Sequence, residues 1–189
     1  DKLFIAANHM YGEKKTRFAV TRYGNVIGSR GSVIPFFRDL INKKSRYLPI
    51  TDINMTRFFI SQDQATSFVV DNLERMYGGE IFVPKLPSVK ITDLATAMSK
   101  NIKLKIIGKR PGEKVHEVMC PAEESYLTAE YKGHYVIYSH GDKMTLKKYP
   151  FDRKKEKGKF LKNGFEYSSN KNKNFLSIKQ VEKLLKSFK

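Results

Sequence analysis

The sequence predicts an α/β chain, and three observations carry that prediction. Strand-like runs at 18–21, 47–51, 57–60, 81–83 and 104–108 alternate with helical periodicity at 35–43, about 61–76 and 92–98, the order expected of a sheet covered by helices. Glycine and proline punctuate the boundaries, at Gly24, Gly28, Gly31, Gly78, Gly79 and Pro84. Hydrophobic residues make up 40% of 189 residues, enough for one domain with a sizeable core or for part of a larger one.

In chain order, Leu3, Phe4, Ala7 and Met10 recur at helical spacing, and Gly12-Glu13-Lys14-Lys15 then turns the chain into a first strand around Phe18–Thr21. Three glycines within eight residues follow, interleaved with Asn25, Ser29, Arg30 and Ser32. Pro35 suits the first turn of a helix that sets Phe36, Phe37, Leu40 and Ile41 on one face and ends in the basic turn Lys43–Arg46. Tyr47–Thr51 and Arg57–Ile60 read as strands. Ser61 or Asp63 caps a helix holding Ala65, Phe68, Val69, Leu73 and Met76, which Gly78-Gly79 stops. Ile81–Val83 is a buried strand closed by Pro84, Thr92 caps a helix with Leu94, Ala95 and Met98, and Leu104–Gly108 is a further strand.

From Pro121 the character changes. Tyr126–Tyr131 and His134–Ser139 flank Lys132-Gly133 as a hairpin. Gly141–Gly164 is lysine-rich and poor in aliphatics, the composition of a mobile loop. Ile178, Val181, Leu184 and Leu185 predict a terminal helix over 177–188.

The formal charge of +17 makes a polyanion partner the first class to weigh. The lysines are spread along the chain and become dense only after Asp142, and the aromatics form no stacking platform. A solvated basic surface is the reading that follows, and nucleic acid is not the expected partner. No apolar run reaches the length of a membrane span and no signal-peptide pattern opens the chain. A lone Cys120 excludes an internal disulfide. A soluble, cytoplasmic protein with no membrane partner is expected.

Three places carry side chains suited to chemistry. The glycine-rich stretch after the first strand, leading into a helix, is open to two readings: an anion site built from exposed N–H groups, or a connector without a ligand. Arg110-Pro111-Gly112-Glu113 puts a guanidinium just before a predicted helix start, where it suits a phosphate or caps a turn. His116-Glu117 invites an acid–base role, against the more frequent one of a hydrogen-bonded core pair. His9, His134 and His140 have no carboxylate or cysteine at ligand spacing, so no metal is expected. No serine-hydrolase elbow is present, and Cys120 is a poor nucleophile candidate.

The stretch RYGNVIGSRGSVIPFF (22–37) resembles the segment that follows the catalytic helix in inverting UDP-N-acetylglucosamine 4,6-dehydratases, members of the extended short-chain dehydrogenases/reductases. Ile50-Thr51-Asp52 with Met55–Phe58, Gly78–Pro84, Arg110–Glu117 and Glu166–Asn170 match in the same order. The resemblance implies the carboxyl-terminal part of an NAD(P)-binding Rossmann-type enzyme with its small substrate-binding domain. Residues 1–120 correspond to the end of the dinucleotide fold interleaved with the substrate domain, and 121–189 to a hairpin, basic loop and terminal helix.

By the same resemblance Arg110 and Arg57 hold the nucleotide diphosphate, and Asn25 contacts the sugar or its phosphates. Val33, Ile34, Pro35, Phe36 and Phe37 wall the uridine, Val26 walls the nicotinamide, and Tyr167, Ser168, Ser169 and Asn170 fold back over the substrate. The family's glycine fingerprint for NADP, its Asp-Lys pair and its Tyr-x-x-x-Lys pair have no counterpart here. No catalytic residue is therefore expected in this chain, NADP is expected to sit mainly on an amino-terminal half, and the chain alone is expected to be inactive. UDP-N-acetylglucosamine is the implied ligand, and the amino-terminal half or a second copy the implied protein partner. Strands such as 18–21 and 81–83 are expected to lack sheet neighbours. Two alternatives stand beside this: a nucleotide-sugar 4-epimerase of the same superfamily, and a basic module that binds a polyanion without chemistry.

Overall fold

A computed structural model describes residues 1–11, 16–139 and 150–187. In chain order its elements are α1 (Lys2–Tyr11), β1 (Val20–Thr21), β2 (Asn25–Val26), α2 (Val33–Asn42), β3 (Tyr47–Ile50), β4 (Thr56–Ile60) and α3 (Gln62–Arg75). Then come β5 (Ile81–Pro84), β6 (Ser88–Lys90), α4 (Ile91–Met98), β7 (Lys103–Ile106) and β8 (Val118–Cys120). A 3₁₀ helix (Ala122–Leu127) leads to β9 (Thr128–Glu130), β10 (His134–Ile137), β11 (Lys159–Phe160), β12 (Tyr167–Ser168) and α5 (Ile178–Lys186). The α/β alternation of the sequence is present. The chain divides into two compact units, each drawn from three separate stretches: 1–23, 63–85 and 118–167 in the first, and 24–62, 86–117 and 168–189 in the second.

In the first unit a five-stranded sheet runs β1-β5-β10-β9-β11. All four residues of β5 are buried, as a continuous apolar run flanked on both sides should be. β1 pairs with it in parallel, Val20 opposite Ile81, and β10 antiparallel, Tyr135 opposite Val83. The expectation that 18–21 and 81–83 lack sheet neighbours is thereby corrected: β5 is flanked on both sides, and β1 is paired with β5 at one edge of the sheet. The hairpin around Lys132-Gly133 forms, with Tyr135 opposite Glu130. Phe82, Ala129, Tyr131, Val136 and Tyr138 make the core, against which Phe68 and Met76 pack.

The expected mobile loop over 141–164 is corrected in part. Residues 140–149 lie outside the described ones, but Phe151 bridges to Lys157 and β11 pairs with β9, Phe160 opposite Ala129. A short apolar pair, Phe160 and Leu161, among lysines suffices when a half-finished sheet edge supplies the partner. The Gly12–Lys15 turn also lies outside the described residues.

In the second unit β2 and β4 pair in parallel, β4 and β6 antiparallel, and β3 and β7 form a separate parallel pair. Ile34 and Phe37 of α2, Leu48 and Ile50 of β3, Phe59 of β4, Leu94 and Ala95 of α4 and Val181 of α5 fill one core. α2 starts at Val33, so Pro35 is its third residue, where the N–H it lacks has no helical partner. Thr92 does not cap α4, which begins at Ile91 with Lys90 before it. α5 carries the full signature: Ser177 and Gln180 form a reciprocal capping box, and Lys183 and Lys186 occupy the last turn.

Candidate functional site

The site lies wholly within the second unit, and β4 is its spine. Side chains alternate along a strand, so Arg57 and Phe59, with Met55 just before the strand, face one way. The chain ahead of β2 comes up against this strand at Gly24. A Cβ there would lie 2.6 Å from both the Cβ and the carbonyl oxygen of Phe58, so only glycine allows the approach. This approach sets Asn25 opposite Phe59 and Val26 opposite Ile60.

A cavity of about 610 Å³ opens there, within the size range of small-molecule sites. Asn25, Val33, Pro35, Phe36, Phe37, Arg57 and Arg110 all line it. They come from β2, the first turns of α2, β4 and the turn after β7. Ile34 alternates away into the core, 3% exposed, and Val26 is half-buried on β2; neither is among the lining residues. Ser168 and Ser169 are buried and Asn170 is exposed, also outside the lining. Tyr167 belongs to the first unit, its ring 4.9 Å from that of Tyr135.

Two guanidinium groups and one carboxylate set the charge of the cavity. Arg57 Nη1 donates to the carbonyls of Thr56 and Val115 at 2.8 and 2.9 Å, and Nη2 donates to that of Lys114 at 2.8 Å. The Nε–H and one Nη2–H remain without a protein partner among the described residues. Arg110 is exposed on a tight turn, which Gly112 closes with φ 78°. Its backbone N–H donates to Glu113 Oε2 at 3.2 Å, so the turn is held without use of the guanidinium. Glu113 Oε1 accepts from the Thr51 hydroxyl at 3.2 Å. Ser32 also lines the cavity; its Oγ is shielded from solvent and has no hydrogen-bond partner among the described residues.

Sequence reasoning gave no site role to Thr51, Met55, Phe59, Ile107 or Glu113, all of which line the cavity. The period-two pattern Met55-Arg57-Phe59 was the available signal for two of them. Thr51 and Glu113 become visible only once β3 and β7 are paired, Ile50 opposite Ile106.

Beneath the cavity wall, His116 and Glu117 are tied into hydrogen bonds. His116 Nδ1 lies 2.8 Å from Thr56 Oγ1, and Glu117 Oε2 accepts from the Phe58 N–H at 2.8 Å. Burial raises the Glu117 carboxyl above its ordinary range, with the Phe58 N–H and the Arg57 charge pulling the other way. Cys120, in the first unit, is buried and its thiol is pushed up to about 12, which leaves it a poor nucleophile. Among the described residues no cluster of metal ligands is present, and no helix is long and apolar enough to cross a membrane.

The fold is α/β, that of the carboxyl-terminal part of an extended short-chain dehydrogenase/reductase. Over 99% of the chain it superposes on Pen from Bacillus thuringiensis with a TM-score of 0.83 and 31% identity, covering 55% of that protein. The chain belongs to the family described as polysaccharide biosynthesis protein, which it matches over residues 1–139. It is 52% identical over 98% of its length to an inverting UDP-N-acetylglucosamine 4,6-dehydratase of Campylobacter jejuni subsp. jejuni serotype O:2, covering 56% of that protein. A UDP-glucose 4-epimerase of Rickettsia bellii is 38% identical over 98% of the chain, which covers 54% of it. The chain thus spans about half the length of the curated relatives it matches.

Proposed function

We propose that this chain is the substrate-holding portion of a 5-inverting UDP-N-acetylglucosamine 4,6-dehydratase, which makes a 4-keto-6-deoxy sugar nucleotide for surface or flagellar glycans. The observation that carries the reading is the meeting of Asn25, Val33, Pro35–Phe37, Arg57 and Arg110, separated by up to 85 positions, around one cavity. A diphosphate needs cations with directed N–H groups, and Arg110 offers an unspent fork. A base needs flat apolar walls, which Val33, Pro35 and Phe36 supply. Ser32 Oγ, shielded and unpartnered, and the Asn25 amide are suited to ligand oxygens.

In the complete enzyme, loss of water across C5 and C6 of the sugar needs a hydride moved from C4 to C6, and a bound NADP would supply that chemistry. This chain's share is to bind the nucleotide and fix the sugar. Its one residue assigned to the cofactor, Val26, sits next to Asn25 and offers an apolar half-buried surface, which suits a nicotinamide wall but no pyrophosphate. NADP is therefore assigned mainly to an amino-terminal half, which with UDP-N-acetylglucosamine completes the partners, in a cytoplasmic setting. The chain by itself should turn over nothing.

The 38% identity to 4-epimerases favours a second reading, in which the same cavity serves a UDP-hexose that is not dehydrated. Calorimetric titration of UDP into the chain tests what the two share. Saturable one-to-one binding is expected. No UDP binding, together with salt-dependent binding of nucleic acid, would instead favour a basic polyanion module. Assaying 4-keto product after joining the chain to an amino-terminal half separates dehydratase from epimerase.

A further inference from the structure

We infer that Ser169 is a positioning residue: buried out of reach of any ligand, it fixes the segment that carries Arg110 against β4. The inference rests on the nucleotide-sugar reading above for its functional consequence, and on the second unit alone for its geometry. Ser169 is fully buried, and its Oγ meets two other segments at once. It lies 2.7 Å from Thr56 Oγ1 on β4, accepts from the Glu117 N–H at 2.9 Å, and stands 3.2 Å from the Thr56 carbonyl. The Ser169 N–H donates to the Glu117 carbonyl at 2.8 Å. One hydroxyl and one amide thus couple three stretches of sequence more than fifty residues apart.

The segment needs that coupling. Residues 107–117 form neither helix nor strand, so their backbone groups must be satisfied one by one. Consecutive residues of β4 hold the end of the segment: the Thr56 N–H donates to the Val115 carbonyl, the Arg57 guanidinium donates to the Val115 and Lys114 carbonyls, and the Phe58 N–H donates to the Glu117 side-chain carboxylate. β4 gives the Glu117 N–H no partner, and Ser169 Oγ accepts from it.

Proton counting shows how the chain closes. Thr56 Oγ1 has one hydrogen for two neighbours, His116 Nδ1 and Ser169 Oγ. With Nδ1 unprotonated, Thr56 donates to His116 and Ser169 donates to Thr56 Oγ1. With Nδ1–H, His116 donates to Thr56, Thr56 to Ser169, and Ser169 to the Thr56 carbonyl. Ser169 accepts from Glu117 N–H in both arrangements, so the clamp holds whichever tautomer is present. Arg57, spent largely on carbonyls, belongs to the same clamp while lining the cavity.

The test compares Ser169→Ala, Thr56→Val and Thr56→Ser with the unaltered chain. Amide hydrogen exchange is followed peptide by peptide, and UDP is titrated well below the melting temperature. Ser169→Ala and Thr56→Val should each speed exchange in 108–117 and weaken UDP by about three- to tenfold, the equivalent of one net hydrogen bond. Thr56→Ser keeps the hydroxyl and should stay near the unaltered chain on both readouts. A hydroxyl that serves stability alone would lower the melting temperature and leave local exchange and UDP affinity unchanged, which overturns the inference. Faster exchange spread evenly through the second unit overturns it too. If the unaltered chain fails to bind UDP, the nucleotide reading is lost, and exchange in 108–117 alone decides the positioning role.

Discussion

The Phe58 N–H donates to the Glu117 carboxylate at 2.8 Å, which seats an acidic side chain against the middle of β4. Burial outweighs this bond and the Arg57 charge, so the carboxyl titrates above its ordinary value of 4.5. A raised acid binds its proton more tightly folded than unfolded. Its contribution to stability is complete below 4.5 and is lost as pH rises through the folded value. Glu117→Gln keeps an acceptor for Phe58 and removes the titration. Melting curves from pH 4.5 to 7 should therefore show the unaltered chain losing stability relative to the glutamine variant as pH rises. Parallel profiles for the two would contradict the assignment.

His134 gives the opposite slope in the first unit. Its ring stacks on Tyr131 at 4.8 Å and 8°, and its buried Nε2 has no hydrogen-bond partner among the described residues. Burial, helped by the Arg75 charge, lowers its pKa from 6.5 to about 4. Stability from the neutral ring is complete above 6.5 and drains as pH falls toward 4, by about 3 kcal/mol in all. His134→Phe keeps the stacking and removes the unpartnered nitrogen. It should be about 1 kcal/mol more stable at pH 7 and should lack the acid loss. Denaturant titrations at pH 7 and pH 5 decide this, and an unchanged pH dependence would rule it out.

Gly24 offers a prediction about the close approach that builds the site. Ala at this position would put its Cβ 2.6 Å from Phe58 backbone and side chain, and backbone cannot yield as a flexible side-chain tip can. Gly24→Ala should cost about 2 kcal/mol or more. It should weaken UDP binding as well, because Asn25 is displaced with it. Gly133→Ala meets nothing within 4 Å and serves as the control. Equal stability of the two variants by chemical denaturation would remove the close approach as a determinant.

The parts legible in the sequence are those written in local chemistry. The amphipathic spacing of α5, the glycine stop after α3 and the β-rich run of β4 all follow from residues within a few positions of one another. β2, β6, β8 and β12 were not foreseen, because strands this short carry no period of their own and form through distant partners. β11 was hidden for the same reason: Lys159-Phe160 looks like a solvated run until β9 offers an edge. At the site, Asn25, Arg57 and Arg110 were readable through motif resemblance, since isolated glycines and arginines are ambiguous by spacing. The role of Ser169 was not readable. A buried serine has no sequence signature, and its partners Thr56 and Glu117 lie 113 and 52 positions away.

Arg110 is where the functional reading is most exposed to refutation. Arg110 lines the cavity while its turn is held by its backbone N–H on Glu113, so truncating the side chain leaves the turn in place. If the fork grips a diphosphate, Arg110→Ala removes a charge-assisted contact worth roughly 1.5–3 kcal/mol. Each 1.4 kcal/mol is about tenfold, so UDP affinity should fall by roughly ten- to a hundredfold. Uridine, which lacks the phosphates, should bind the variant and the unaltered chain alike. Arg110→Lys should recover part of the loss, because an ammonium keeps the charge and gives up the planar pair of donors. An arginine that only decorates the turn predicts equal UDP affinity in all three chains. Calorimetric titration of UDP and uridine into each decides between them.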